Sequence, residues 1–202
     1  LEQVDLIIAT GSNNSFRYFD YYFGKKPHII RKNRNAAAVI QGDESPAQLA
    51  LLGHDIFDYF GLGCRSVSKL YVPKGYDVKH FFEGIAIHEP IKNHYKYVNN
   101  YDYNKSIYLI NGEQHFDNGF VLLKHDERLA SPLAVVFYEE YESIDTLEAK
   151  LNAQAAELQC ITTEIPLAVT IPTFPFGGSQ QPALTDYADG VDTLAFLFAQ
   201  AQ

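Results

Sequence analysis

The sequence predicts an α/β fold: a mostly parallel sheet with helices on both faces. Two observations predict it. Strand-like and helix-like segments alternate along the chain, and several of the strands are continuous apolar runs. Alternation of this kind builds βαβ units, and a strand covered on both faces needs an unbroken apolar run. With 202 residues, 47% of them hydrophobic, the chain has material for one ordinary domain or for one large and one small lobe.

Each element has a local reason. VDLIIAT (4–10) reads as a buried strand stopped by Gly-Ser. The following GSNNSFRYFDYYF turns helical, because Phe16, Phe19 and Phe23 then share one face. HIIR (28–31) and AAAVIQ (36–41) are short strands. Ser45-Pro46 starts a helix, with Ser at the cap and Asp43 and Glu44 where the helix dipole favours negative charge. Leu49, Leu52, Ile56 and Tyr59 form its inner stripe, and Gly61 and Gly63 end it. SKLYVP (68–73) is a strand and KGYDVKHFFEGI a short helix. SIYLI (106–110) and FVLLK (120–124) are strands bracketed by the turns Asn111-Gly112 and Asn118-Gly119. LAVVFY (133–138) follows as a strand. SIDTLEAKLNAQAAEL is an amphipathic helix with Ile144, Leu147, Leu151 and Leu158 inward. QCITTEI and LAVTIP (167–172) are strands, and the tail holds a glycine turn, a short helix and a final apolar stretch.

Composition narrows the function. A formal charge of −9 argues against nucleic-acid binding, which needs a positive surface to displace counterions. No apolar run approaches the length of a membrane span. Two cysteines, Cys64 and Cys160, make no disulfide framework, and a reducing cytoplasm is expected. The seven histidines show no metal-ligand spacing, so no metal is expected. The chain has no initiator methionine and opens as if already entering a strand; a fragment of a longer protein is expected.

Three stretches carry candidate chemistry. In FGLGCRSVSKLYVP (60–73), Cys64 follows Gly63 and stands two residues beyond Leu62 and three beyond Gly61. Glycines let backbone N–H groups crowd an acyl oxygen. One such donor, including the N–H of Cys64 itself, is worth ~3 kcal/mol in a transition state. The bland alternative is a small buried hydrophobe near a helix end. ATGSNNS (9–15) places Thr10, Gly11 and Ser12 at a strand-to-helix turn, a plausible anion site or an ordinary βα turn. KKPHIIRKNR (25–34) gathers five basic residues that suit cofactor or coenzyme A phosphates, or form a solvated face.

Taken in order, DLIIATGS, KNRNAAAVIQGDES, FGLGCRSVSKLYVP, NGEQHFDNGFVLLK, ASPLAVVFYEEY and FPFGGSQQP resemble the second half of the aldehyde dehydrogenase superfamily. Within it, ATGSNNSFRYFDYYFGKKPHIIRKNRN, GLGCRSVSKLYVP and DYADGVDTLAFL resemble the long-chain fatty acyl-CoA reductases of bacterial luminescence operons and their non-luminescent relatives. The resemblance implies an aldehyde-dehydrogenase-like catalytic domain over 36–202, preceded over 1–35 by the end of a dinucleotide-binding domain. It implies Cys64 as the acyl-accepting nucleophile and Thr10, Gly11 and Ser12 as the lining of a cofactor pyrophosphate. It further implies a fatty acyl-CoA substrate, NADPH or NADH as cofactor, and a homo-oligomer for the full-length protein.

Two departures qualify it. Oxidising members carry a water-activating glutamate in a Glu-Leu-Gly-Gly-Lys-Asn-Pro stretch. Aligning Lys-Asn-Pro on Arg34-Asn35-Ala36 puts Ile30 or its neighbours there, with no carboxylate nearby. A reductase needs no activated water, which would waste its acyl intermediate. The family's Glu-x-Phe-Gly-Pro faces ERLASP (127–132), with Arg128 at the glutamate position and Glu127 one residue off, so that role is not carried over. Two other readings stand beside the reductase: NAD(P)-dependent oxidation of aldehydes, and a non-catalytic α/β interaction module with Cys64 inert.

Overall fold

The computed structural model describes residues 4–11 and 13–200. The chain divides into two compact units, Leu1–Arg34 with Pro182–Gln202 and Asn35–Gln181.

In the first unit β1 (Ile7–Thr10), α1 (Asn13–Phe23) and β2 (His28–Arg31) form one βαβ turn. The strands pair in parallel, with Thr10 opposite Arg31. Phe16, Phe19 and Phe23 are half-buried while Tyr18, Tyr21 and Tyr22 are exposed, as the helical period requires. The basic segment is engaged within this unit. Arg31 donates to Thr193 Oγ1 (2.9 Å), Arg34 pairs with Asp189 (3.4 Å), Lys26 donates to the Val4 carbonyl (2.6 Å), and Lys32 lies 4.0 Å above the Phe16 ring. Thr193 begins the closing helix, Thr193–Gln200.

The second unit is a seven-stranded sheet. In chain order it holds β3 (Asn35–Val39), α2 (Pro46–Phe57), β4 (Val67–Pro73), α3 (Val78–Gly84), α4 (Tyr95–Asn111), β5 (Phe116–Asp117), β6 (Leu122–His125), β7 (Val135–Tyr141), α5 (Ile144–Ala153), β8 (Leu158–Thr163) and β9 (Thr173–Phe174). The strands lie in the order β5-β6-β7-β4-β3-β8-β9, and only the β5–β6 pair is antiparallel. Alternate residues of β3 face opposite cores. Ala36 and Ala38 pack with Leu49, Leu52 and Ile56 of α2, Phe81 of α3 and Tyr97, Tyr101 and Tyr108 of α4. Ala37 and Val39 pack with Leu147 and Leu151 of α5. Helices therefore cover both faces, and the buried strand runs are largely apolar, with Lys69 of β4 and Thr162 of β8 among the buried exceptions.

Helix α2 starts as its sequence demands. Ser45 accepts from the Gln48 N–H, and the Gln48 side chain accepts from the Ser45 N–H, a complete capping box with Pro46 in the first turn. Glu44 is buried because its carboxylate takes the N–H groups of Gln41 (2.6 Å) and Gly42 (2.9 Å).

Three expectations are corrected. Tyr59 is not on the inner stripe of α2: the helix ends at Phe57, and Tyr59 is 69% exposed with φ 55°. SIYLI is the last part of α4 rather than a strand. Tyr97, Tyr101, Asn104 and Tyr108, spaced four, three and four apart, are the buried face of that helix, and Leu109 and Ile110 are exposed. LAVTIP forms no ladder, because side chains of α5 serve its backbone instead. Glu148 accepts from the Ala168 N–H (2.7 Å), and Asn152 accepts from the Thr170 N–H and donates to the Ala168 carbonyl (2.9 Å each).

Candidate active site

Cys64 lies on the loop that enters β4, at the amino-terminal edge of the parallel strands, and it is exposed. The approach to this loop is unusual. Tyr59, Phe60 and Gly61 all have positive φ (55°, 60° and 73°), a conformation that costs about 1–2 kcal/mol for each residue with a Cβ. The His94 ring stacks on Phe60 with centroids 4.0 Å apart and holds one side of this turn. The loop then closes on itself: the Ser66 N–H donates to the Gly63 carbonyl (3.0 Å) and the Gly63 N–H to Ser66 Oγ (3.2 Å). Among the described residues no acceptor meets the Cys64 N–H.

Behind the turn lies a small cavity of about 30 Å³, lined by Phe57, Phe60, Gly61, Val67, Tyr97 and Leu133, among others. The Tyr97 hydroxyl is buried and has no partner among the described residues. Two β-bulges flank the start of β3, one at Ser68 on β4 and one at Gln159 on β8. Bulges re-aim the strand ends next to them. Ser68 uses its displacement to donate to the Leu129 carbonyl (2.8 Å).

Beneath the loop is a buried carboxyl that the sequence reading missed. Asp55, fully buried near the end of α2, accepts from the Gly177 N–H (2.7 Å), the Ser179 N–H (3.0 Å) and the Ser179 hydroxyl (2.6 Å). Burial pushes this carboxyl above its ordinary range, and the hydrogen bonds from Ser179 and Gly177 oppose the shift. The turn that supplies the donors is Pro175–Ser179, where Gly177 has φ 80° and an added Cβ would sit 3.3 Å from Leu51. The signal was present in the sequence: a lone Asp between Leu52 and Ile56 sits on the apolar stripe of its helix.

Arg65 turns toward the Pro175–Ser179 turn. Its guanidinium reaches the Ser179 carbonyl (3.4 Å) and lies 5.1 Å from the Phe174 ring centroid. Cys160, on β8, is the opposite of Cys64. It is 1% exposed, and burial pushes its thiol up to about 12 even though the Arg65 charge pulls it down. At the ERLASP segment, Arg128 forks onto Asp126 (2.8 and 2.6 Å), which holds that carboxyl well below the usual range. Glu127 is exposed.

The other predicted site residues belong to the first unit. Thr10 is exposed at the end of β1, and the Gly11 N–H donates to the Arg31 carbonyl (3.3 Å). A Cβ at Gly11 would lie 2.9 Å from that of Ser15, so only glycine clears the turn. Ser12 lies outside the described residues. A strand end, a glycine and the amino terminus of an eleven-residue helix suit the pyrophosphate of a dinucleotide. Among the described residues no cluster of His, Cys, Asp or Glu is placed to hold a metal ion, and no helix is long and apolar enough to cross a membrane.

The fold is that of the aldehyde dehydrogenases. The indole-3-acetaldehyde dehydrogenase AldA of P. syringae, solved with NAD+, matches 83% of this chain with 41% of its own, at 11% identity and TM-score 0.56. The NAD-dependent benzaldehyde dehydrogenase of Corynebacterium glutamicum matches 87% of this chain with 47% of its own, at 13% identity and TM-score 0.59. An NAD-dependent aldehyde dehydrogenase of Sinorhizobium meliloti matches 79% with 39%, at 13% identity and TM-score 0.57. The chain thus spans about two fifths to one half of the length of these proteins. No family model matches the chain, and no curated protein matches it.

Proposed function

We propose that this chain is the nucleophile-bearing part of a nicotinamide-dependent oxidoreductase that reduces long-chain fatty acyl-CoA to the aldehyde. The observation that carries the reading is Cys64, an exposed thiol on a tight loop with an unengaged main-chain N–H, in an aldehyde dehydrogenase fold whose other cysteine is sealed.

In this reading the Cys64 thiolate attacks the thioester carbonyl, and the oxyanion is received by the Cys64 N–H. The bond to the coenzyme A sulfur breaks, that sulfur leaves and takes up a proton, and the acyl group stays on Sγ. A reduced nicotinamide, NADPH or NADH, supplies a hydride when bound, with Thr10, Gly11 and Ser12 lining its pyrophosphate. After reduction the hemithioacetal on Cys64 loses its hydroxyl proton, the carbon–Sγ bond breaks, and the aldehyde departs. β2, His28–Arg31, carries no carboxylate to activate a water against the acyl intermediate. We place the full-length protein in the cytoplasm as a homo-oligomer, with 1–35 closing its dinucleotide domain and 36–202 as its catalytic domain.

Incubation with palmitoyl-CoA followed by intact-mass measurement tests this. One acyl group is expected on the parent and none on Cys64→Ala; acylation that survives the substitution removes Cys64 from the reaction. A second reading, oxidation of an aldehyde to the acid, is favoured by the likeness of the fold to NAD-dependent aldehyde dehydrogenases. Steady acid formation from an aldehyde with NAD+ and without coenzyme A would decide for it.

A further inference from the structure

The hydroxyl of Ser179 lies between two acceptors. It is 2.6 Å from Asp55 Oδ1 and 3.1 Å from the carbonyl of Arg65, the residue after Cys64. Two more hydrogen bonds run between the same pieces of chain: Arg65 Nη1 to the Ser179 carbonyl (3.4 Å) and Gln180 Nε2 to Ser66 Oγ (3.3 Å). Ser66 Oγ in turn receives the Gly63 N–H. Residues 63, 65 and 66, which bracket Cys64, are therefore connected to residues 179 and 180.

We propose that Ser179 is a positioning residue for Cys64, and that Asp55 acts through it. Asp55 fixes the Pro175–Ser179 turn, and the Ser179 hydroxyl then fixes the peptide that follows Cys64. Nothing in this arrangement touches the reacting atoms. It sets the direction of Sγ and of the Cys64 N–H, which an exposed loop would otherwise leave to thermal motion. The inference rests on the reading of Cys64 as the nucleophile.

The hydroxyl has one proton and faces two acceptors. It is shared between them, with the shorter contact to Asp55 Oδ1 the stronger and the Arg65 carbonyl taking the weaker one. An asparagine at position 55 would put a donor toward Oγ in place of an acceptor, so the Ser179–Arg65 contact would persist. It would lose the acceptor for the Ser179 N–H, and the fold would be less stable.

This separates a positioning role from a merely structural one. The test compares Ser179→Ala, Ser179→Thr and Asp55→Asn with the parent. It measures thermal unfolding, the rate of Cys64 alkylation by iodoacetamide, and the rate of acyl transfer from palmitoyl-CoA. Positioning predicts that both Cys64 rates follow the hydroxyl and not the stability. Ser179→Ala is expected to slow them about fivefold to tenfold, the factor one hydrogen bond supplies. Ser179→Thr restores them, and Asp55→Asn leaves them within about twofold although it unfolds at a lower temperature. Rates that rank with unfolding temperature across the three variants overturn the proposal. Should Ser179→Ala fail to fold, Gln180→Ala cuts the same tether at Ser66 and is expected to slow Cys64 about threefold; an unchanged rate there also overturns it. If the parent alkylates at Cys64 but accepts no acyl group, the acyl-transfer reading fails, while the alkylation ratios still decide the tether.

Discussion

Treatment of the folded chain with iodoacetamide at pH 8 is expected to modify Cys64 and spare Cys160. Only thiolate reacts. With its thiol pushed up to about 12, Cys160 holds roughly one part in ten thousand as thiolate at pH 8, against about a quarter for a free thiol of pKa about 8.5. The ratio is about two thousandfold before access is counted. Access adds to it, because Cys160 is 1% exposed on β8 between β3 and β9. A time course read by peptide mass mapping should show one adduct on the parent, none over the same interval on Cys64→Ala, and two at similar rates in urea. Labelling of Cys160 within tenfold of Cys64 in the folded chain would refute the assignment of one open and one sealed sulfur.

Three further outcomes are expected. The raised Cys160 thiol contributes stability that is present below the unfolded pKa of about 8.5 and is lost as pH rises toward 12, at up to ~1.4 kcal/mol per pH unit; Cys160→Ala should therefore show a shallower alkaline decline in unfolding temperature than the parent. At Gly84 an added Cβ would lie 2.3 Å from the Cβ of fully buried Leu49, so Gly84→Ala must push α3 from α2 and cost about 1–3 kcal/mol in urea unfolding. Tyr59→Gly removes a left-handed residue whose side chain is 69% exposed, and should stabilise the chain by roughly 0.5–1 kcal/mol once the glycine entropy is subtracted; a loss instead would show that the turn is not strained.

The sheet was legible because its strands are doubly buried. Ala36–Val39, Leu70–Val72 and Val135–Phe137 need apolar residues at every position, and such runs stand out in sequence. α2 was legible from its cap, since Ser45-Pro46-x-Gln satisfies two backbone donors locally. α4 was not, because its buried face is built from tyrosines and Asn104 rather than aliphatics. Asn104 is satisfied by the Asn100 carbonyl one turn back and by the Leu133 carbonyl 29 residues on, and the second partnership leaves no local trace. LAVTIP misled for the converse reason: its composition suits a strand, but its amides had already been taken by Glu148 and Asn152. At the candidate site, Cys64 was conspicuous from its glycines. Asp55 and Ser179 stand 124 residues apart, and only the fold brings them together.

Several costly features converge on the entry to β4. Two residues with Cβ atoms are held left-handed at Tyr59 and Phe60. A bulge displaces Ser68, and a carboxyl is fully buried at Asp55. A chain selected for stability alone has no reason to place them within fourteen residues, and each is the sort of local violation that concentrates where geometry serves chemistry. Cys160 supplies the comparison within the same sheet. It also lies beside a bulge, at Gln159, yet no left-handed turn precedes it and it is buried among apolar neighbours. A bulge by itself therefore does not mark a reactive cysteine. What distinguishes Cys64 is that the strained turn, the bulge and the Asp55–Ser179 contact all act on one loop, and that the sulfur on that loop is left open to solvent.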